Sequence, residues 1–279
     1  MEQTNDIKLA VVGAAGRMGR EVLGAIATFP NVTLVAGVDH PKHPDQNRDV
    51  GVLAGGNPTN IPLTADLEAA VSAADVAIDF SSHELTDRLA RLASTHGCNL
   101  VTGTTGISPK GLNGLKKAAQ AIAVVASPNM SIGMNLLFGL VAEVVKTLGA
   151  DYDVEIIEWH HRNKKDAPSG TAVRLAQIAA EASGMTLEQT GRFTRHGLIG
   201  PRPKGEIGVC AVRAGDVVGD HTVLFGGDGE RIELIHRVTN RAAFAKGAIR
   251  AALWLVGRAP GMYDMSDVLG MRDRNANQP

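Results

Sequence analysis

Aromatic residues make up only 4% of the 279-residue chain. That is too few to line a base-stacking surface, so recognition of single-stranded nucleic acid is not expected. Charge of one sign is also lacking: 28 Lys and Arg against 29 Asp and Glu leave a formal net charge of -1, and no general polyanion partner follows. The two cysteines, Cys98 and Cys210, are far apart and without metal-ligand spacing. They read as two small buried thiols of a reducing compartment, with neither a disulfide nor a metal site. Met1 to Lys8 has no apolar h-region, so no secretory signal is read there. The longest apolar stretch, Ile132 to Val145, is broken by Asn135 and Glu143 and is shorter than a bilayer crossing requires. The expectation is a cytoplasmic protein of about two domains, with neither membrane nor nucleic acid as partner.

Glycine, in contrast, is plentiful at 32 residues. Lys8 to Val12 is a short β-type run, followed by Gly13, Ala14, Ala15, Gly16, Arg17, Met18 and Gly19, then by helical apolar spacing over Arg20 to Thr28. The order is strand, glycine-rich turn, helix. Glycines at G-x-x-G-x-x-G form a variant of the dinucleotide fingerprint, serving a tight turn, backbone approach to pyrophosphate and close helix–strand packing. A second run, Val32 to Val38, ends in Asp39, where a carboxylate would accept the hydroxyls of an adenosine ribose. Read alone, Asp39 is a turn or cap residue; the turn upstream makes it a candidate cofactor ligand.

Pro41 to Pro62 is rich in Pro, Gly, Asn and Asp and reads as an irregular excursion. Val76 to Phe80, Asn99 to Thr102 and Ile122 to Ala126 are further apolar runs separated by helical segments, the pattern of a parallel sheet covered on both faces. They end in Ser81–Ser82, in Gly103, Thr104, Thr105 and Gly106, and in Ser127, Pro128 and Asn129. Small polar residues thus mark the carboxyl edge, where such sheets take ligands. From Ser131 the pattern changes, with helices over Ile132 to Leu148 and Ser169 to Ala182 flanking a strand at Tyr152 to Trp159. Ile207 to Arg213, Val218 to Phe225 and Arg231 to Val238 read as an antiparallel meander that forms an open sheet with that strand. Val209, Ala211, Val223 and Phe225 read as outward apolar residues that another subunit covers. A last helix spans Ala242 to Val256.

The densest chemistry lies between Glu155 and Ala172, where an alternating strand runs into His160, His161, Arg162, Lys164 and Lys165 and then Asp166–Ala167–Pro168–Ser169–Gly170–Thr171. Asp166 and Ser169 are plausible helix caps, and Pro168 suits the first helical position. The amides of Ser169, Gly170 and Thr171 should then be unpaired, with the positive end of a helix behind them, ready for carboxylate or phosphate. His160 and Lys164 can supply protons, since imidazole titrates near neutrality and a crowded ammonium releases its proton more readily. An acidic small molecule that is protonated during reaction fits such a turn; without its context the run is a solvated basic loop.

These residues closely resemble the H-H-x-x-K-x-D-A-P-S-G-T-A element of the bacterial dihydrodipicolinate reductases. The likeness extends to the Gly13–Gly19 turn, to Gly103–Thr104–Thr105–Gly106, to Ser127–Pro128–Asn129–Met130 and to Arg213 through Ala252, nearly the whole chain. It implies an α/β protein: a Rossmann-type doubly wound parallel sheet over residues 1–130 and 240–279, plus an α+β substrate-binding and oligomerisation domain with an open mixed sheet over residues 131–239, assembled as a homotetramer. It implies proton transfer by His160 and Lys164, and a small dicarboxylate substrate held by His161, Ser169, Gly170 and Thr171. NADH or NADPH would be contacted by Gly13, Ala14, Ala15, Gly16, Arg17, Met18, Asp39, Gly103, Thr104, Thr105, Ser127, Pro128, Asn129 and Met130. The implied reaction is reduction of 4-hydroxy-tetrahydrodipicolinate to tetrahydrodipicolinate in diaminopimelate and lysine biosynthesis. Relatives that take NADPH well carry basic side chains where His40 and Ser82 stand here, and Asp39 repels a 2′-phosphate, so NADH is expected to be favoured. The competing readings are another two-domain dehydrogenase of amino-acid precursors, a non-catalytic nicotinamide-nucleotide sensor, and a metal hydrolase built on His160, His161 and more distant histidines.

Overall fold

Apolar runs alternate with amphipathic segments from Ile7 onward, and the backbone follows them. The computed structural model describes residues 6–272; the ends of the expected N-terminal and C-terminal segments, residues 1–5 and 273–279, lie outside the described residues. The chain begins β1 (Ile7–Val12), α1 (Arg17–Ile26), β2 (Val32–Val38), α2 (Val50–Leu53), β3 (Leu63–Thr64), α3 (Leu67–Ala73), β4 (Val76–Asp79) and α4 (Thr86–His96). It continues β5 (Asn99–Thr102), α5 (Pro109–Ala118), β6 (Ala123–Ala126), α6 (Ile132–Leu148), β7 (Asp153–His160), α7 (Gly170–Ala182), α8 (Leu187–Thr190) and β8 (Gly191–Arg192). It closes with β9 (Ile207–Arg213), β10 (Gly219–Gly227), β11 (Glu230–Val238), α9 (Ala242–Leu255), β12 (Gly261–Tyr263) and α10 (Met265–Val268). Two compact units result: one runs to Ile132 and resumes at Arg241, and the other is Gly133–Asn240.

The first unit is a seven-stranded sheet in the order β12-β6-β5-β4-β1-β2-β3, with every neighbouring pair parallel. Side chains alternate along each strand. Ile7, Leu9 and Val11 therefore join one core with α1, α2, α9 and α10, while Ala10 and Val12 join the other with α3, α4 and α5. This is the doubly wound, Rossmann-type architecture, and β1 sits where the order reverses between β2 and β4, the switch point at which such sheets bind ligands. Helix α1 starts at Arg17, three residues before the expected start at Arg20. The excursion over Pro41 to Pro62 contains α2, whose N-cap Asp49 accepts from Gly51 and Val52 N–H, so it is not wholly irregular. The edge strands β3 and β12 are too short, at two and three residues, to leave a periodic signal.

The second unit carries a five-stranded sheet in the order β11-β10-β7-β9-β8. The expected meander is corrected here. Only β10 and β11 form an antiparallel hairpin; β7 inserts between β10 and β9, antiparallel to the first and parallel to the second. Turn signals mark where strands end, not which strands pair, so the insertion was not readable from spacing. The register also corrects the outward residues. Val209, Val223 and Phe225 are buried with Val154 and Ile156 in a core shared with α6 and α7, and only Ala211 of the four is exposed. Cys98 is buried as expected but Cys210 is exposed, because β9 turns its side chain to the sheet face opposite those helices.

The helical stretch Ile132–Asp151 reaches 20 residues with mean hydropathy 1.4, so it passes the length and composition test that the shorter apolar run was expected to fail. Met134, Leu137, Val141 and Val145 on one of its faces lie in the core of the second unit, and a core helix meets the same test.

Candidate functional site

In the first unit the loops at the carboxyl edge of the sheet are shaped by backbone and by one buried acid. Gly13 has φ +79°, and a Cβ there would lie 2.6 Å from Phe80 O; one on Gly19 would lie 2.0 Å from Gly13 O. Both glycines are therefore needed for the turn and for the seating of α1 beneath it. Gly16 is the N-cap of α1 and offers no side-chain capping bond, so the first amides of this ten-residue helix lack intrahelical acceptors, the requirement for receiving a pyrophosphate. Asp39 stands at the end of β2, its Oδ2 accepting from Ala15 N at 2.9 Å and its Oδ1 from His40 N at 2.7 Å. The carboxylate thus already braces the glycine turn, and each oxygen keeps a lone pair for a further donor. Arg17 is exposed at the helix start, and Met18 packs against the core.

Sequence reasoning passed over Asp79. Fully buried at the end of β4, it accepts from Ser81 N at 2.9 Å and Ser81 Oγ at 2.5 Å on one oxygen, and from Thr102 Oγ1 and Thr104 Oγ1, each at 2.9 Å, on the other. One carboxylate therefore ties the loop after β4 to the Gly103–Thr105 loop after β5. Ser127 Oγ donates to Asn129 O at 2.8 Å, and Ser131 N to Asn129 Oδ1 at 2.9 Å, which closes the third loop on itself. Pro128 is exposed there. Met130 is 1% exposed inside the core, so it offers a ligand almost no surface.

In the second unit the core-facing side of β7 reads Val154, Ile156, Glu158, His160, all buried. The alternation is unbroken, but its chemistry changes from aliphatic to ionisable at the carboxyl end. Glu158 is 0% exposed. Its Oε1 accepts from Ser169 N at 3.0 Å and Arg213 Nη2 at 2.8 Å, and its Oε2 from Arg213 Nη1 at 2.9 Å and from His160 Nδ1 in a very short bond. Burial alone would raise this carboxyl, but the bonds from His160, Arg213 and Ser169 outweigh it and hold it down to about 2. Parallel pairing sets Arg213 beside His160, and antiparallel pairing sets His221 beside Glu158.

His221 is 3% exposed. Its Nε2 lies 3.2 Å from Ser169 Oγ, and its ring meets that of His160 edge-on at 5.3 Å and 77°. Burial first, and the neighbouring His160 second, push His221 down to about 3, so it is a neutral ring. Lys164 Nζ pairs with Asp166 Oδ1 at 2.9 Å, and its amide donates to His161 O at 3.1 Å, which makes 161–164 a tight turn. Ala214 N bonds His160 O, and Arg162 N bonds Gly215 O, fastening this turn to the end of β9.

Of the two expected caps it is Ser169, not Asp166, that starts α7, its Oγ accepting from Ala172 N; Pro168, expected to open the helix, instead precedes the cap, and the Ala167–Pro168 peptide is cis. Ser169 N is consumed by Glu158, so it is not among the amides open to a ligand. Gly170 is the first helical residue and exposed, followed by half-buried Thr171. Glu158 was legible as a carboxylate in phase with His160 on an alternating strand. Arg213 and His221 were not, because only the strand register brings them near.

A doubly wound parallel sheet with a glycine turn at its switch point, in a chain whose second unit gathers imidazole, ammonium and helix-start amides, defines a nucleotide-dependent oxidoreductase. Residues 7–130 match the family model described as Dihydrodipicolinate reductase, N-terminus, and residues 133–269 the one described as Dihydrodipicolinate reductase, C-terminus. The chain belongs to the dihydrodipicolinate reductase family and is an enzyme of it. The 4-hydroxy-tetrahydrodipicolinate reductases of Anaeromyxobacter dehalogenans (strain 2CP-1) and Myxococcus xanthus (strain DK1622) are each 48% identical to it, over 95% of this chain and 98% of theirs. Among solved structures, a dipicolinate-bound dihydrodipicolinate reductase from Paenisporosarcina sp. TG-14 matches with TM-score 0.71 and 26% identity, over 92% of this chain and 97% of that one. A DAP dehydrogenase of C. glutamicum in complex with DAP shares the fold at TM-score 0.54 and 17% identity, over 99% of this chain and 100% of that one.

Between the ordinary imidazole value of 6.5 and about 3, the unfolded chain takes up a proton at residue 221 that the folded chain refuses. Stability therefore falls as pH falls through that window. Replacing the ring in His221→Asn should make the pH dependence of the unfolding free energy, measured by urea titration, shallower by up to about 1.4 kcal/mol per pH unit between about pH 4 and 6. An unchanged slope would show that His221 titrates normally in the fold.

Proposed function

We propose that this chain reduces 4-hydroxy-tetrahydrodipicolinate to tetrahydrodipicolinate with NADH or NADPH, in the cytoplasm, as a step of diaminopimelate and lysine biosynthesis. The observation that carries the reading is the end of β7, where His160 is held by a buried carboxylate beside a turn that presents His161 and Lys164 and leads into the Gly170–Thr171 helix start. After loss of water the substrate is a conjugated cyclic imine with two carboxylates. Its reduction adds one hydride and one proton and leaves the cofactor oxidised. The Gly13–Met18 turn, Asp39, Gly103–Thr105 and Ser127–Met130 would hold the nicotinamide cofactor, which would supply the hydride. The residues present fit such a group: glycines where a Cβ would strike backbone, and an uncapped helix start.

His161 and the Gly170–Thr171 amides hold the substrate carboxylate at the positive end of α7. Ser169 is withdrawn from direct substrate contact, its amide and hydroxyl both being engaged within the protein. Lys164 delivers the proton as negative charge develops on the ring, and His160 acts beside it as donor or stabiliser. For Lys164 to act, its ammonium must leave Asp166, which is 61% exposed and so yields a weakly held, solvent-screened pair.

Wild-type protein should oxidise NADH in the presence of the condensation product of pyruvate and aspartate semialdehyde, and Lys164→Ala should lower kcat by about 10²- to 10⁴-fold with cofactor affinity nearly unchanged. A variant keeping more than about half of wild-type kcat would remove Lys164 from this role.

The cofactor reading rests on Asp39, whose charge at the ribose opposes a 2′-phosphate, and on His40 and Ser82, which supply no fixed cation there. NADH should give the higher kcat/KM at neutral pH, and a ratio that clearly favours NADPH would overturn this.

We also infer a homotetramer. Phe193, Leu198, Ile199 and Ile235 of the second unit are exposed apolar residues, and α6 and α7 cover only one face of its sheet, which supports burial of the other against further copies of the chain. Light scattering at micromolar concentration should report four chains, and a molar mass of one chain would sink the inference.

A further inference from the structure

We propose that Glu158 is the positioning residue of the proton-handling site, fixing at once the tautomer of His160 and the start of helix α7. The inference rests on the reading above, in which His160 handles protons and the α7 start holds a carboxylate.

An ionised carboxylate accepts only, at about four lone-pair sites. Glu158 meets four donors: Arg213 Nη1 and His160 Nδ1 on one oxygen, Arg213 Nη2 and Ser169 N on the other. Its capacity is filled. Because the group facing His160 Nδ1 can only accept, that nitrogen must carry a proton, which leaves Nε2 as the atom that gains and loses one. Nε2 is directed at Gly219, where an added Cβ would lie 3.0 Å away; the absence of a side chain there keeps this nitrogen uncovered by β10.

The same carboxylate receives Ser169 N, and Ser169 Oγ caps Ala172 N at 3.2 Å while meeting His221 Nε2. The residue that starts α7 is thus held on its amide by Glu158 and on its hydroxyl by His221. A shift of the carboxylate would move the imidazole and the Gly170–Thr171 amides together. Arg213 keeps the carboxylate in place with a bidentate fork and extends Nη2 to Asp166 O at 2.7 Å, tying in the segment that precedes the cap.

Glu158→Gln tests this. The amide has one accepting oxygen and one donating nitrogen, so whichever way it turns, its NH2 faces an Arg213 N–H and either His160 Nδ1 or Ser169 N. In wild-type protein at neutral pH, long-range imidazole ¹⁵N spectra, assigned by the signal lost in His160→Asn, should place the His160 proton on Nδ1. In Glu158→Gln the proportion on Nε2 should rise, kcat should fall at least about tenfold, KM for the dicarboxylate should rise, and KM for the nicotinamide cofactor should stay unchanged. Glu158→Asp, which keeps the charge one carbon short, should recover part of the lost kcat. A neutral His160 protonated on Nε2 in wild type overturns the proposal without any variant, and so decides it if the substituted chain does not fold. Glu158→Gln with kcat within about twofold of wild type overturns it as well. Absence of turnover by wild-type protein would instead defeat the reaction assigned above, while the tautomer measurements would still decide the role of Glu158.

Discussion

A carboxylate with no solvent exposure is the constraint around which the second unit is built. An ionised group removed from water is tolerated only when its charge and lone pairs are matched, and Glu158 is matched by donors from three different segments: its own strand, the end of β9 and the residue before α7. This explains why β7 lies in the middle of its sheet. An edge position would supply either Arg213 or the neighbouring His221, not both. The parallel partner on one side and the antiparallel partner on the other are what bring a guanidinium and a neutral ring to the same few ångströms.

The first unit solves an analogous problem with fewer charges. Asp79 is as deeply buried as Glu158, but its donors are two threonine hydroxyls, one serine hydroxyl and an amide. Neutral donors suffice to set loop geometry where, as proposed for the cofactor, the ligand brings its own charge. Where a side chain must itself carry and release a proton, as proposed for His160, the buried acid is paired with a cation. The two acids divide along that line, one arranging loops and the other arranging ionisable groups.

The parallel sheet was legible because each of its main strands is an apolar run that stops in small polar residues, a pattern set by burial on both faces. Helices α6 and α7 were legible for the same reason, their apolar faces being long enough to repeat. Strand pairing in the second unit was not: β9 and β10 are adjacent in sequence and separated by a turn signal, yet β7 lies between them. That error carried the sidedness of Val209, Val223 and Phe225 with it, since a residue's face is fixed by what its neighbours are. At the site, His160, His161, Lys164 and the start of α7 could be read from residue type and order. Arg213 and His221, some fifty to sixty residues on, become neighbours only through register, and Pro168 misled because a proline suits several positions near a helix start.

One feature of the first unit bears on how the chain matures. Ala245, Ala248, Ile249, Ala252 and Leu255 of α9 belong to the same core as β1 and α1, although the whole of Gly133–Asn240 is translated between them. During synthesis the glycine turn therefore emerges early but its core has an open flank until α9 leaves the ribosome. A chain that stops before α9 lacks part of the core on which β1 and α1 rest.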